Sequence, residues 1–288
     1  MKNGVTISRL KHLKPRLYLW VALVWLVGGA GVLGGVVWHG LRYLLWWATL
    51  PGIPMDDGLK LSLVEAALAF LALVATAYRL AAAHRRRMDR ERELAALLEG
   101  RLRPLAGPLP VSGIEFREVR DDSPYAFTWG IRHPEVVVST GLWDGLPESS
   151  RRAVLLHEAH HARVRDPLVE HLLQVMAEAV PFPLFPFLLQ RYLIAREVAA
   201  DAEAVAGLQE DPTPLIEAMV TALAHPGPAS PVASLGARGL SDWDARIAFL
   251  RDGTLPQSWQ GGGGMAMVVL PLLAVAVTWL EILTMRCH

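Results

Sequence analysis

His157 and His161 stand four residues apart in the run HEAHH, with Glu158 next to the first of them. On a helix, positions i and i+4 share one face, so both imidazoles can turn a nitrogen toward a single cation. The H-E-x-x-H spacing suits Zn²⁺. Glu158 is beside the first ligand without being one, where a carboxylate can take a proton from water as a general base. Catalytic zinc uses three protein ligands and keeps one position open. The third candidate is Glu197, in RYLIAREVAADAEAV. Asp201 follows it by four and shares its face; it can accept a hydrogen bond from a ligand histidine and fix the tautomer. The bland readings are a solvated polar face for 157–161 and an ordinary surface helix around Arg196–Glu197. The coincidence of the two motifs favours the metal site. His160 sits about 80–100° off the ligand face and is read as structural or solvated. His171 and His133 remain spare candidates.

The elements that must position these residues are apolar. Of 288 residues, 52% are hydrophobic and 19% charged, and the mean hydropathy is +0.30. A disordered chain needs the opposite balance. Lysine plus arginine equals aspartate plus glutamate, 28 against 28, so charge gives no case for a nucleic-acid partner. The single cysteine, Cys287, excludes an intrachain disulfide and a thiolate metal cluster.

Residues 17–38 carry no charge and follow a basic segment, 1–16, that holds Lys2, Arg9, Lys11, Lys14 and Arg16. The run is longer than the roughly 7–15 residues of a signal-peptide core, so it is read as a retained membrane helix. Residues 41–50, with Tyr43, Trp46 and Trp47, suit the lipid–water boundary. A second apolar run covers 61–83 and leads into HRRRMDRERE. Both basic flanks lie on one side of this 17–83 hairpin, which puts them in the cytoplasm. A third span is expected in 261–288, after four glycines. Residues 84–260 then hold the soluble domain.

Residues 167–190 are apolar too. A single crossing there would separate Glu197 from His157 by a bilayer. Two crossings need about 40 residues, and only 35 lie between His161 and Glu197. Glu170 and Glu178 would also be costly in lipid. The expectation is a hairpin with a tip at Pro181, Pro183 and Pro186, either packed on the domain or dipping into the membrane face. Ser149 or Ser150 is expected to cap the zinc helix.

HEAHH followed by Glu197-x-x-x-Asp201 resembles the gluzincin membrane metallopeptidases. The upstream segment SPYAFTWGIRHPEVVVSTGLWDGLPESSRRAVLLHEAHHARVRD is similar to the family of the Bla/Mec antibiotic-sensor proteases. The HtpX-type and CAAX-prenyl-type proteases share a looser version. In the family, an Ala-Phe strand and an R-x-P-x-I/V-V-V-S/P strand precede the zinc helix, and Arg-x-Asp follows it. DARIAFL, with Arg246, resembles the family's terminal R-I-x-x-L element. The resemblance covers about residues 100–255. It implies that His157, His161 and Glu197 bind Zn²⁺, that Glu158 is the base and that Asp201 orients. It also implies that Ala126 and Phe127 lie on an edge strand able to pair with a peptide. Arg246 is a candidate for the oxyanion or for a structural ion pair.

The expected fold class is a mostly α membrane protein: three transmembrane helices plus a cytosolic α+β zincin-like (gluzincin) domain, in the plasma membrane. The expected activity is zinc-dependent endopeptidase cleavage of a cytosolic or membrane-proximal polypeptide, a regulator such as a transcriptional repressor. The antibiotic sensors carry a penicillin-binding domain beyond the last span. This chain ends at His288, so the expectation is a protease that answers to another signal. The alternatives are quality control of membrane proteins in the HtpX manner and a non-catalytic zinc-binding scaffold. Glu158 speaks against the scaffold, because a structural site needs no base.

Overall fold

The computed structural model describes residues 15–50, 54–107, 109–224 and 243–252. Two long helices come first. α1 (Arg16–Ala48) has 33 residues and α2 (Asp57–Leu98) has 42. At 1.5 Å per residue these reach about 50 and 63 Å, well beyond the ~30 Å of a hydrocarbon core. Both are long and apolar enough to cross a membrane. Residues 41–48 continue α1 without a break. Likewise α2 runs straight through residues 83 and 84. Its arginine-rich part is helical because Arg, Glu, Leu and Ala are all strong helix formers. Asp56 caps α2 by accepting from the Leu59 N–H at 2.7 Å.

The two helices pack closely where Gly40 faces α2. A Cβ there would come within 2.5 Å of the Ala66 Cβ and 3.0 Å of the Ser62 carbonyl oxygen. Elsewhere they bear large exposed apolar side chains, including Val27, Trp38 and Trp46 on α1 and Leu61, Phe70 and Tyr78 on α2. Soluble proteins rarely expose such a surface.

A four-stranded sheet follows: β1 (Leu102–Pro104), β2 (Glu115–Val119), β3 (Ala126–Trp129) and β4 (Glu135–Ser139), in the order β1-β2-β4-β3. β2 and β4 are parallel; the other two pairs are antiparallel. The unbroken run Val136-Val137-Val138 is explained by burial on both faces. Val136 and Val138, with Phe116, pack against Leu142, Leu155 and Ala159. Val137 points the other way, with Phe127, toward Leu94 and Leu98 at the end of α2. The last turns of the long α2 are therefore part of the domain core. β3 is an edge strand that pairs with β4 alone among the described residues.

The helices α3 (Thr140–Gly145), α4 (Glu148–Arg163), α5 (Asp166–Ala179), α6 (Leu184–Gly207), α7 (Thr213–Ala224) and α8 (Trp243–Asp252) complete the described chain. α4 lies between the sheet and α6. α6 approaches closely because its inner face is alanine: Ala195, Ala199, Ala200, Ala202 and Ala204 are all buried. The expected cap of α4 differs. Pro147 precedes the first turn with no side-chain cap, and Ser150 instead donates to Glu217 Oε2 at 2.6 Å. α5 and α6 form the apolar hairpin, but its tip is residues 180–183. Pro186 lies in the first turn of α6, where proline costs no backbone hydrogen bond. The hairpin packs on α1 through Ala22, Leu173, Leu184 and Leu188, and Trp25 and Phe182 lie 6.1 Å apart by ring centroid. The expected third span and Cys287 lie outside the described residues.

Candidate metal centre

His157 and His161 sit in the last two turns of α4, one above the other. Their rings are edge-to-face, with the two Nε2 atoms 3.1 Å apart. Glu197 arrives from α6. Its Oε2 is 3.5 Å from His157 Nε2 and its Oε1 is 3.7 Å from His161 Nε2. One atom from each of the three side chains lies within 4.8 Å of the others. Two imidazoles and a carboxylate form the donor set of a hydrolytic zinc site.

Each histidine has its other nitrogen against a carboxylate. His157 Nδ1 is 2.9 Å from Asp201 Oδ1. His161 Nδ1 is 2.7 Å from Asp166 Oδ2. The His161 contact is a hydrogen bond that favours a proton on Nδ1 and leaves Nε2 free to ligate, whereas the His157 contact is an ion-pair distance without hydrogen-bond alignment. Asp166 reaches back because Arg165 takes a left-handed conformation, φ 55°, between α4 and α5. Tyr192 from α6 donates to Asp166 Oδ1 at 2.7 Å and fixes it.

The field suits a cation. Burial alone would push His157 down, but Asp201 and Glu197 overcome it and raise His157 to about 9. Burial pushes the Glu197 carboxyl up, yet the Arg246 guanidinium and the His157 ring hold it well below the usual carboxylate range. Asp201 is likewise depressed against burial, first by Arg246 and then by His157. Arg246, from α8, lies behind the donors. It makes a two-pronged contact to Asp201, Nε to Oδ2 at 2.9 Å and Nη2 to Oδ1 at 2.5 Å. Its Nη1 is 3.0 Å from Glu197 Oε2. Its donors thus face carboxylates.

Glu158 points toward the sheet. Thr128 Oγ1, on edge strand β3, is 2.8 Å from Glu158 Oε2 and 2.9 Å from the Glu158 carbonyl oxygen. Ala126 and Phe127 are on the same strand; the Phe127 side chain is buried toward α2, so its backbone is what the edge offers. The other candidate histidines stand apart from the donor set. His160 is half-buried, and burial with the neighbouring His161 lowers it to about 4. His133 is exposed. His171 pairs with His84, Nε2 to Nδ1, at 2.9 Å.

Three contributors escape a sequence reading. Asp166 ends the run Arg163-Val164-Arg165-Asp166, which has valine where the family's Arg-x-Asp element has arginine. Thr128 and Tyr192 carry no motif of their own.

Residues 88–226 match the family model of peptidase family M48. The matched segment runs from the arginine-rich part of α2 past the end of α7 and includes every donor of the site. The chain is similar over that segment to peptidases of that family. No curated protein matches it.

Proposed function

We propose that the chain is a membrane-anchored, zinc-dependent endopeptidase. The convergence of His157, His161 and Glu197 within 4.8 Å carries this reading. The match to peptidase family M48 supports it. When bound, zinc supplies a Lewis acid for the scissile carbonyl and acidifies water. His157, His161 and Glu197 hold the ion, and Asp201 and Asp166 fix the two rings. Glu158 takes the proton of the attacking water and returns it to the leaving amine. Thr128 keeps that carboxylate at the strand edge, where the reacting peptide has to lie. The free edge of β3, at Ala126 and Phe127, pairs with an extended polypeptide through main-chain groups, which asks little of its sequence.

Two features support the anchoring: the length of α1 and α2 and their exposed apolar side chains. The basic segments on both outer flanks of the hairpin argue for a cytosolic catalytic domain in the plasma membrane. Cleavage of a regulator, as the likeness to the antibiotic sensors implies, is the reading we favour over quality control. Comparing the membrane and cytosolic proteomes of wild type and Glu158→Gln separates these: one stabilised regulator against many stabilised membrane proteins.

The direct test is Glu158→Gln in the full chain. It retains zinc by elemental analysis and loses turnover of an unstructured protein such as casein. Wild-type turnover in this variant removes Glu158 from the mechanism. Full zinc occupancy in His157→Ala removes the site itself.

A further inference from the structure

The Glu197 carboxylate is gripped from two sides. Arg246 approaches Oε2, and Arg196 donates from Nε to Oε1 at 3.1 Å. Arg196 has a second engagement: its Nη1 donates to Glu170 Oε2 on α5. Glu170 Oε1 accepts from Gln174 Nε2, one helical turn further along α5. Gln174 Oε1 accepts from Arg87 Nη1 on α2, and Arg87 Nη2 also donates to Glu178. The contacts form one unbroken line: Arg87, Gln174, Glu170, Arg196, Glu197. Donors and acceptors alternate correctly along it. It crosses three helices and is largely dry. The side chains of Arg87, Glu170 and Arg196 are 11%, 14% and 15% exposed.

A buried chain of charges is a poor way to gain stability, because desolvation offsets most of the attraction. Apolar side chains of similar size would fill the space between α2, α5 and α6 at least as well. A carboxylate that must hold a metal has a different requirement: its oxygens need a fixed direction, and outer hydrogen bonds supply it. Arginine suits the task, since a planar fork can bridge two carboxylates in a way an ammonium cannot. α2 is also the helix whose other half is the long apolar segment. The line therefore begins on the anchor and ends on a metal-binding oxygen.

We propose that Arg196 is a positioning residue for Glu197, and that Arg87 on α2 extends this control to the membrane anchor through Gln174 and Glu170. The metal affinity of the site then depends on the seating of α2 against α5. This rests on the reading of His157, His161 and Glu197 as metal donors.

The test is titration of the full chain in detergent with Co²⁺, read by the visible absorption of the bound ion. Arg196→Gln weakens binding by at least about tenfold, the usual effect of an outer partner. Arg87→Gln, on a helix that carries none of the three donors, also weakens it and alters the absorption band. The double variant loses less than the product of the two single effects, because both act through one line. Arg163→Gln, an exposed arginine paired with Glu203, binds like wild type. If Arg196→Gln loses its cooperative thermal transition, Arg196→Lys takes its place in the cycle, with a smaller expected loss. Wild-type affinity in Arg87→Gln, or independent effects that simply multiply, overturns the proposal. Undiminished binding in His157→Ala instead overturns the metal site, so the two failures are distinct.

Discussion

Thr128 Oγ1 sits 2.8 Å from Glu158 Oε2, so a hydroxyl on the edge strand holds the carboxylate next to the first donor histidine. The hydroxyl has one proton and two acceptors within reach, the carboxylate and the Glu158 carbonyl oxygen. Thr128→Val keeps the shape and removes the donor. A hydrogen bond to a charged group is worth about 1.5–3 kcal/mol, so turnover should fall by roughly tenfold or more. Zinc content should not change. Thr128→Ser should restore most of the rate, and a valine variant as fast as wild type would detach Thr128 from the base.

Arg246 and Asp201 form a buried pair behind the site; the arginine is 9% exposed and the aspartate 0%. Removing one member of such a pair leaves an uncompensated charge and costs about 3–5 kcal/mol. Arg246→Leu should lower the thermal midpoint strongly, and should do so in the zinc-free protein as well. Arg246→Leu combined with Asp201→Leu should recover part of the loss. If the double variant is as unstable as the sum of the single ones, the pair is not the cause.

His171 is expected to make the fold acid-sensitive. Burial lowers it first, and the neighbouring His84 and Arg87 lower it further. A histidine depressed in the fold is neutral there but binds a proton readily when unfolded. Its stabilising contribution is therefore complete above the unfolded value near 6.5 and is lost as pH falls below it. The thermal midpoint should drop between pH 7 and pH 5.5, and His171→Gln should flatten that slope. An unchanged slope assigns the acid sensitivity elsewhere.

The tip of the α5–α6 hairpin lies beside the apolar part of α1. Phe182 is 40% exposed between two exposed prolines, Leu80 and Val180 both pack against Ala83, Val175 and Ala179, and Arg79 reaches the Glu178 carbonyl oxygen at 3.5 Å. An exposed aromatic ring beside a basic side chain is the pattern of a lipid–water boundary. Cys287→Ser leaves the chain without cysteine. In that background, a nitroxide at Phe182→Cys in vesicles should be accessible to oxygen and shielded from a polar nickel reagent. A label at Val27→Cys serves as reference for the anchor. Shielding at 27 but not at 182 would leave the anchor intact and take the tip out of the lipid.

The sequence by itself determined what depends on short-range geometry. Four-residue spacing on a helix pairs His157 with His161 and Glu197 with Asp201 wherever those helices end up, because 3.6 residues per turn leaves no other choice. Unbroken apolar runs made α1 and α2 legible, whereas the strand over Val136–Val138 came only through the family resemblance. The ends of elements were less legible. The apolar run read over 61–83 is part of a longer helix that continues to Leu98, since nothing in the arginine-rich run opposes helix, and Pro186 falls inside α6, since a first turn tolerates proline. Only the tertiary structure decided which distant groups meet. Thr128 reaches Glu158 across 30 positions of chain, and Arg246 reaches Asp201 across 45. Arg196 joins Glu197 to Glu170 although its neighbours suggest an ordinary surface helix. Such partners have no period and no fixed offset. They are chosen by how α2, α5, α6 and α8 pack around α4, and that packing follows from the summed burial of many side chains.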